Sequence, residues 1–220
     1  MYLKDYKLAI NDFDSAGNCV LKTDTALSLS YYILAMDLLI EMGDHKEAQN
    51  YSEKVAARVY LHTKDISLIS KFYDNIIEYY AYYVDSDVFY SFINKYRFKR
   101  AEYLFKASEY ERALEQFVDI IRTNNGTNCD KELTELSFVN ACLIAILTQR
   151  TDTQKYIDEL YRKSSDSQDS VQYLLIKRII ESLHDKNYKG MKDLGERLSI
   201  NGDNVTLFNA RSKEIIDIID

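Results

Sequence analysis

Apolar residues recur along this chain at helical rather than strand spacing. In YLFKASEYERALEQFVDII, Tyr103 to Ile121, apolar Leu104 and Phe105 continue a face begun at Ala101, polar Ser108 and Glu109 interrupt it, and Ala113, Leu114, Phe117, Ile120 and Ile121 resume it. The stretch reads as two amphipathic helices facing each other across a tight turn, a helical hairpin. The same pattern along the chain predicts about eleven helices. They run over 2–21, 24–42, 45–61, 66–85, 88–107, 110–122, 131–148, 153–163, 171–184, 188–199 and 205–219. Asp24, Asp44, Asp152 and Asp203 precede four of these segments and are N-cap candidates, because a short carboxylate accepts hydrogen bonds from the free amides of a first helical turn. Polar breaks recur at Met42 to Ala48, Ala107 to Ala113, near Tyr156 and at His184 to Met191. The later ones are roughly 35 to 43 residues apart, the scale of tetratricopeptide-like helix pairs. A hairpin of this size buries its apolar face only against its neighbours. The expected fold is therefore all-α, a right-handed solenoid of stacked hairpins forming a single domain over residues 1–220.

Composition strengthens the helical reading. The chain has no proline and only 6 glycines in 220 residues, so little interrupts a helix and loops are short. Its net charge of -7 disfavours a nonspecific nucleic-acid binder and favours protein partners. Three cysteines, Cys19, Cys129 and Cys142, lack close spacing and read as free thiols of a reducing compartment, the cytoplasm. Cys19 and Cys142 stand among apolar helical residues and are expected to be buried. The 19 tyrosines, clustered for example in FYDNIIEYYAYY from Phe72 to Tyr83, read as inter-helix packing residues whose hydroxyls reach the solvent edge.

Chemistry is sparse. His45, His62 and His184 lie far apart, no Cys or His pair has metal-ligand spacing, and neither a phosphate loop nor a dinucleotide fingerprint is present. The reading is a protein with no catalytic residues, metal or cofactor. The one suggestive feature is basic: Lys95, Lys99 and Lys106 stand at i, i+4 and i+11, within about 40° of one helical stripe. Such a stripe attracts an acidic partner, although a solvated helix face has the same pattern.

Longer segments carry a resemblance. FDSAGNCVLKTDTALSLSYYILAMDLLIEMGDHKEA, Phe13 to Ala48, is similar to the AGN-containing helix and the following Met-Gly turn of the soluble NSF attachment proteins, the SNAP family that couples SNARE complexes to an ATPase. NKYRFKRAEYLFKASEYERALEQF, Asn94 to Phe117, resembles a later segment of that family, and TQKYIDEL and YLLIKRIIESLHDKNYKGM resemble its C-terminal helices. The resemblance covers nearly the whole chain and implies a non-enzymatic adaptor in vesicle fusion and intracellular protein transport. Its implied partners are the acidic four-helix SNARE bundle and the NSF-type AAA ATPase. Lys95 and Lys99 fall on matching SNARE-binding positions, with Lys46, Lys54 and Arg58 close to others. Glu181 and Asp185 match carboxylates that meet the ATPase, and Ile218 and Ile219 stand where the family has a leucine-bearing tail. The family begins with further helices and a phenylalanine-bearing loop that touches membrane, whereas this chain begins at the AGN helix. Weak or no direct membrane binding is thus expected, with a cytoplasmic location peripheral to membranes through SNARE complexes. The competing reading from another class is a tetratricopeptide-like scaffold that holds a short peptide in its groove.

Overall fold

Two carboxylates close the first turns of the second and third helices. Asp24 accepts the Leu27 amide at 2.9 Å and Asp44 the Glu47 amide at 3.3 Å, so two of the four N-caps expected from the sequence are formed. Asp152 and Asp203 lie outside the described residues. The computed structural model describes residues 2–83, 87–123 and 130–148, with scattered positions between 155 and 181. Over the continuous stretches the helices are α1 (Tyr2–Val20), α2 (Thr25–Glu41), α3 (His45–Thr63), α4 (Ile66–Tyr83), α5 (Asp87–Lys106), α6 (Tyr110–Thr123) and α7 (Lys131–Leu147). Among the described residues there is no strand, and the all-α class follows the apolar spacing.

The chain divides into two compact units, residues 1–109 and 110–220. In the first, α1 packs on α2, α2 on α3 and α4, α3 on α4 and α5, and α4 on α5. Contacts to the next helix and to the next but one are what stacked hairpins produce. In the second, α6 packs on α7 and buries Phe117, Ile120 and Ile121 with Phe138, Cys142 and Ile144. The stretch from Tyr103 to Ile121 thus supplies members of two different pairs, α5 with α4 and α6 with α7. Periodicity reveals which face of a helix is apolar, but not which neighbour covers it.

Two helices end alike. After α2, the Gly43 amide reaches the Ile40 carbonyl and the Asp44 amide the Leu39 carbonyl; after α5, the Ser108 and Glu109 amides reach the Phe105 and Leu104 carbonyls. Both are Schellman closures, which need a left-handed residue: Gly43 has φ 74° and Ser108 φ 62°.

The AGN segment, Ala16 to Asn18, has a physical explanation. Tyr32 of α2 is fully buried against α1, and a Cβ on Gly17 would sit 2.5 Å from its Cε1. The Ser28 hydroxyl donates to the Gly17 carbonyl at 2.8 Å, and the Tyr32 hydroxyl donates to Asn18 Oδ1 at 2.9 Å. From α3, Tyr51 donates to Asp14 Oδ1 at 3.0 Å. Burial, followed by the charge of Asp14, pushes the Tyr51 phenol far above its ordinary value, so it stays a donor.

Aromatic rings fill the space among α3, α4 and α5. Tyr60, Tyr103, Tyr73, Tyr96, Tyr80 and Phe92 follow one another with centroids 5.5 to 6.4 Å apart, and His45 completes the series 5.1 Å from Phe92. The tyrosines are packing residues here, as the sequence suggested, but Tyr73 and Tyr96 depart from the expected solvent-edge placement, since both hydroxyls are buried. Among the described residues the Tyr73 hydroxyl has no hydrogen bond, because a ring from the middle of α4 packs against Tyr96 and Tyr103 of α5.

One helix keeps an apolar outer side. On α2, Leu27 and Leu34 are each 43% exposed, and Asp37 is half-buried beside them. Burial, then the charge of Glu41, raises the Asp37 carboxyl to about 6. Between pH of about 4 and 6 the folded chain therefore holds a proton that the unfolded chain has released, and stability contributed by this group falls as pH rises through that window. Asp37→Asn should raise stability at pH 7 by on the order of 1 kcal/mol, allowing for solvent screening, and have little effect at pH 4. Equal effects at the two pH values in urea denaturation would refute this account. Gly17→Ala should destabilise by about 1 to 3 kcal/mol despite alanine's better helix propensity, since the added methyl overpacks a pinned ring. An unchanged or higher denaturation midpoint would show that Tyr32 yields.

Candidate interaction surface

The basic residues singled out from the sequence lie on α3 and α5, which pack on one another. α5 carries Lys95, Arg97, Lys99, Arg100 and Lys106 against Asp87 and Glu102. Their environments differ. Lys95 Nζ lies 5.5 Å from the Phe92 ring centre and Lys106 Nζ 5.2 Å from that of Tyr103, so both cations sit over aromatic faces of their own helix. Lys99 Nζ is 3.2 Å from Glu102 and 4.0 Å from Glu53 of α3. It joins the two helices while remaining part-exposed.

On α3, Lys46 is exposed beside the N-cap, and Lys54 is 66% exposed, 4.0 Å from Glu47. Arg58 is different. Its Nη1 donates to Asp14 Oδ1 at 3.1 Å, Asn18 Oδ1 at 2.6 Å and the Tyr32 hydroxyl at 3.3 Å, and its guanidinium lies 5.4 Å from the Tyr32 ring centre. Burial opposes its charge, but hydrogen bonds to Tyr32 and Asp14 outweigh this and hold its pKa above the ordinary value. Glu53 and Arg58 stand about 140° apart around α3. One flank of α3 therefore reaches α5 through Glu53, and the other reaches α1 and α2 through Arg58. Lys46 and Lys54 occupy the outer arc between them. Lys46 and Lys54 are exposed and Lys95 is partly so, while Lys99 and Arg58 are each 34% exposed, Lys99 paired with Glu53 and Glu102 and Arg58 bound to groups of α1 and α2.

Arg100 lies outside the basic stripe of Lys95, Lys99 and Lys106. It binds Asp74 of α4 at 2.9 Å and, through Nε, the buried Ser70 hydroxyl at 2.9 Å, tying α5 to α4. Its position one residue after Lys99 was the available signal, because neighbours on a helix point about 100° apart and cannot share one stripe.

Glu181 is helical and exposed, whereas Asp185, Ile218 and Ile219 lie outside the described residues. Cys142 is fully buried, with its thiol pushed up by burial, as expected. Cys19 is exposed, contrary to expectation, because its helix turns Gly17 rather than Cys19 toward α2. Cys129 lies outside the described residues. Among the described residues no group of His, Cys, Asp and Glu could hold a metal, and no helix is long and apolar enough to cross a membrane.

An all-α succession of packed helix pairs with cations displayed along α3 and α5 is the architecture of a helical-repeat interaction protein. The chain matches the family model for soluble NSF attachment protein, SNAP, over residues 2–194, and belongs to that family. Its members are SNARE/NSF adaptors without catalytic activity. No solved structure matches the chain.

The unequal environments lead to a test. Arg58→Ala should destabilise the fold by about 1 to 2 kcal/mol, because it removes the donor shared by Asp14, Asn18 and Tyr32 and uncovers part of the Tyr32 face, whereas Lys46→Ala should shift stability by less than about 0.5 kcal/mol. Similar denaturation midpoints for the two variants would refute the assignment of Arg58 to the fold.

Proposed function

We propose that this chain binds assembled SNARE bundles through the cations of α5 and α3 and recruits and stimulates an NSF-type AAA ATPase for SNARE disassembly. The reading rests on family membership across residues 2–194, and the cationic character of α5 supports its placement. Lys95 and Lys99 would make the central contacts, with Lys46 and Lys54 extending the field along α3. Arg58 would act indirectly, by fixing α3 against α1 and α2. Since an exposed ion pair contributes only about 0.2 to 1 kcal/mol, an adaptor of this kind depends on several cations acting together along an acidic rod. The protein would act through shape and charge as one repeat domain, with no cofactor.

ATPase coupling is assigned to the C-terminal region. Glu181 and Asp185 would meet basic groups of the ATPase, and Ile218 and Ile219 would dock in an apolar site. Its location would be the cytoplasm, at membranes through SNARE complexes rather than through a lipid contact of its own.

The test is a pull-down with assembled SNARE bundle and ATPase. Lys95→Glu with Lys99→Glu should weaken SNARE binding by about tenfold or more, and raised salt should mimic the change because exposed charges are screened within about 8 to 10 Å. Deleting Ile218 to Asp220, or reversing Glu181 and Asp185 to lysine, should leave SNARE binding in place and reduce stimulated ATP hydrolysis. Full binding by a folded Lys95→Glu/Lys99→Glu variant would sink the SNARE surface, and full-length rates from the deletion would sink the tail's role.

A further inference from the structure

The outer side of α2 is unlike that of an ordinary solvated helix. Its buried residues, Ser28, Leu29, Tyr32, Ala35, Met36, Leu39 and Ile40, fill one arc. On the far side Leu27, Tyr31, Leu34 and Leu38 stand at i, i+4, i+7 and i+11, within about 60° of one stripe. Leu27 and Leu34 are exposed, and Tyr31 and Leu38 are partly so. The stripe runs for about 16 Å, three turns of helix.

Along one edge of it lie Asp37 and Glu41, about 40° apart around the axis. Asp37 is half-buried and, among the described residues, has neither a hydrogen bond nor an ion pair. α2 contains no basic residue at all. A carboxylate partly removed from water without a cation is unfavourable in the free protein, and the cost is relieved when a cation is brought to it.

We propose that the outer face of α2 docks a cationic amphipathic helix from a protein partner, its apolar residues lying along Leu27, Tyr31, Leu34 and Leu38 and a lysine or arginine meeting Asp37 and Glu41. An apolar stripe of this length accepts a helix through i, i+4, i+7 anchors. The carboxylates select the partner's charge: an acidic helix leaves Asp37 uncompensated, and an anionic membrane surface is repelled. The surface is opposite in sign to the cations of α3 and α5, so it recruits a different class of partner from an acidic coiled coil.

The probe is a fluorescein-labelled synthetic helix of leucine and lysine with leucines at i, i+4, i+7 and i+11, compared with the same peptide carrying glutamate in place of lysine. Anisotropy titrations use the full chain. The lysine peptide should bind at least tenfold more tightly than the glutamate peptide. Leu27→Gln with Leu34→Gln should weaken it at least tenfold, Asp37→Asn should weaken it several-fold, and Glu132→Gln on α7 should leave it unchanged. Circular dichroism confirms that each variant folds, and Lys95→Glu with Lys99→Glu should retain peptide binding. Equal binding of the two peptides, absence of binding, or wild-type affinity in the leucine variant overturns the proposal. Sedimentation as a dimer that Leu27→Gln/Leu34→Gln dissociates would assign the face to a second copy, and flotation with liposomes that the same variant abolishes would assign it to lipid; either also overturns it.

Discussion

The first three helices depend on the approach of Tyr32 to the backbone of Gly17. At that distance the ring can lie flat on α1 only where no side chain intervenes, and its hydroxyl then reaches Asn18. Once the hydroxyl is placed, Arg58 from α3 can bind Tyr32, Asn18 and Asp14 together. Tyr51 adds a second donor to Asp14 from the preceding turns of α3. A contact between two helices thus fixes a third, and polar groups at the join are satisfied by one another. Such a network is sensitive to the loss of any one member, because the remaining groups stay partly removed from water.

The same arrangement governs how the cations are displayed. Arg58 pulls one flank of α3 toward α1 and α2, and the opposite flank offers Glu53 to Lys99. Arg100 meanwhile ties α5 to α4. Two arginines hold the helices, while the lysines beside them carry the exposed charge. This division fits the chemistry of the two side chains: a guanidinium can satisfy several acceptors in fixed geometry, whereas an ammonium on a flexible stem remains well hydrated.

Much of the local structure was legible in the sequence. Asp24 and Asp44 act through amides only three residues away, and most breaks contain Gly, Asn or Asp, so the observed boundaries lie close to those expected. The candidate surface was less legible. Nothing near Arg58 in sequence reveals its partners on α1 and α2, up to 44 residues earlier. Tyr73 looks like its neighbours in a tyrosine-rich run, and only the position of α5 makes its hydroxyl an internal group. The pairing of α5 with α4 was obscured for a related reason, since an amphipathic face specifies burial without specifying the surface that supplies it.

The turn between α3 and α4 has a bearing on mechanics. Lys64 takes a left-handed conformation there, with φ 55°, and its amide closes on the Tyr60 carbonyl at 3.0 Å. Glycine would traverse this region of backbone space freely; a residue with a Cβ occupies a small basin within it. Leaving that basin for the right-handed or extended region would lower the local backbone energy of a lysine, so the turn keeps its form only while its surroundings over-determine it. The corner between α3 and α4 is thus held by the aromatic packing of both helices on α5, not by a preference of the turn itself.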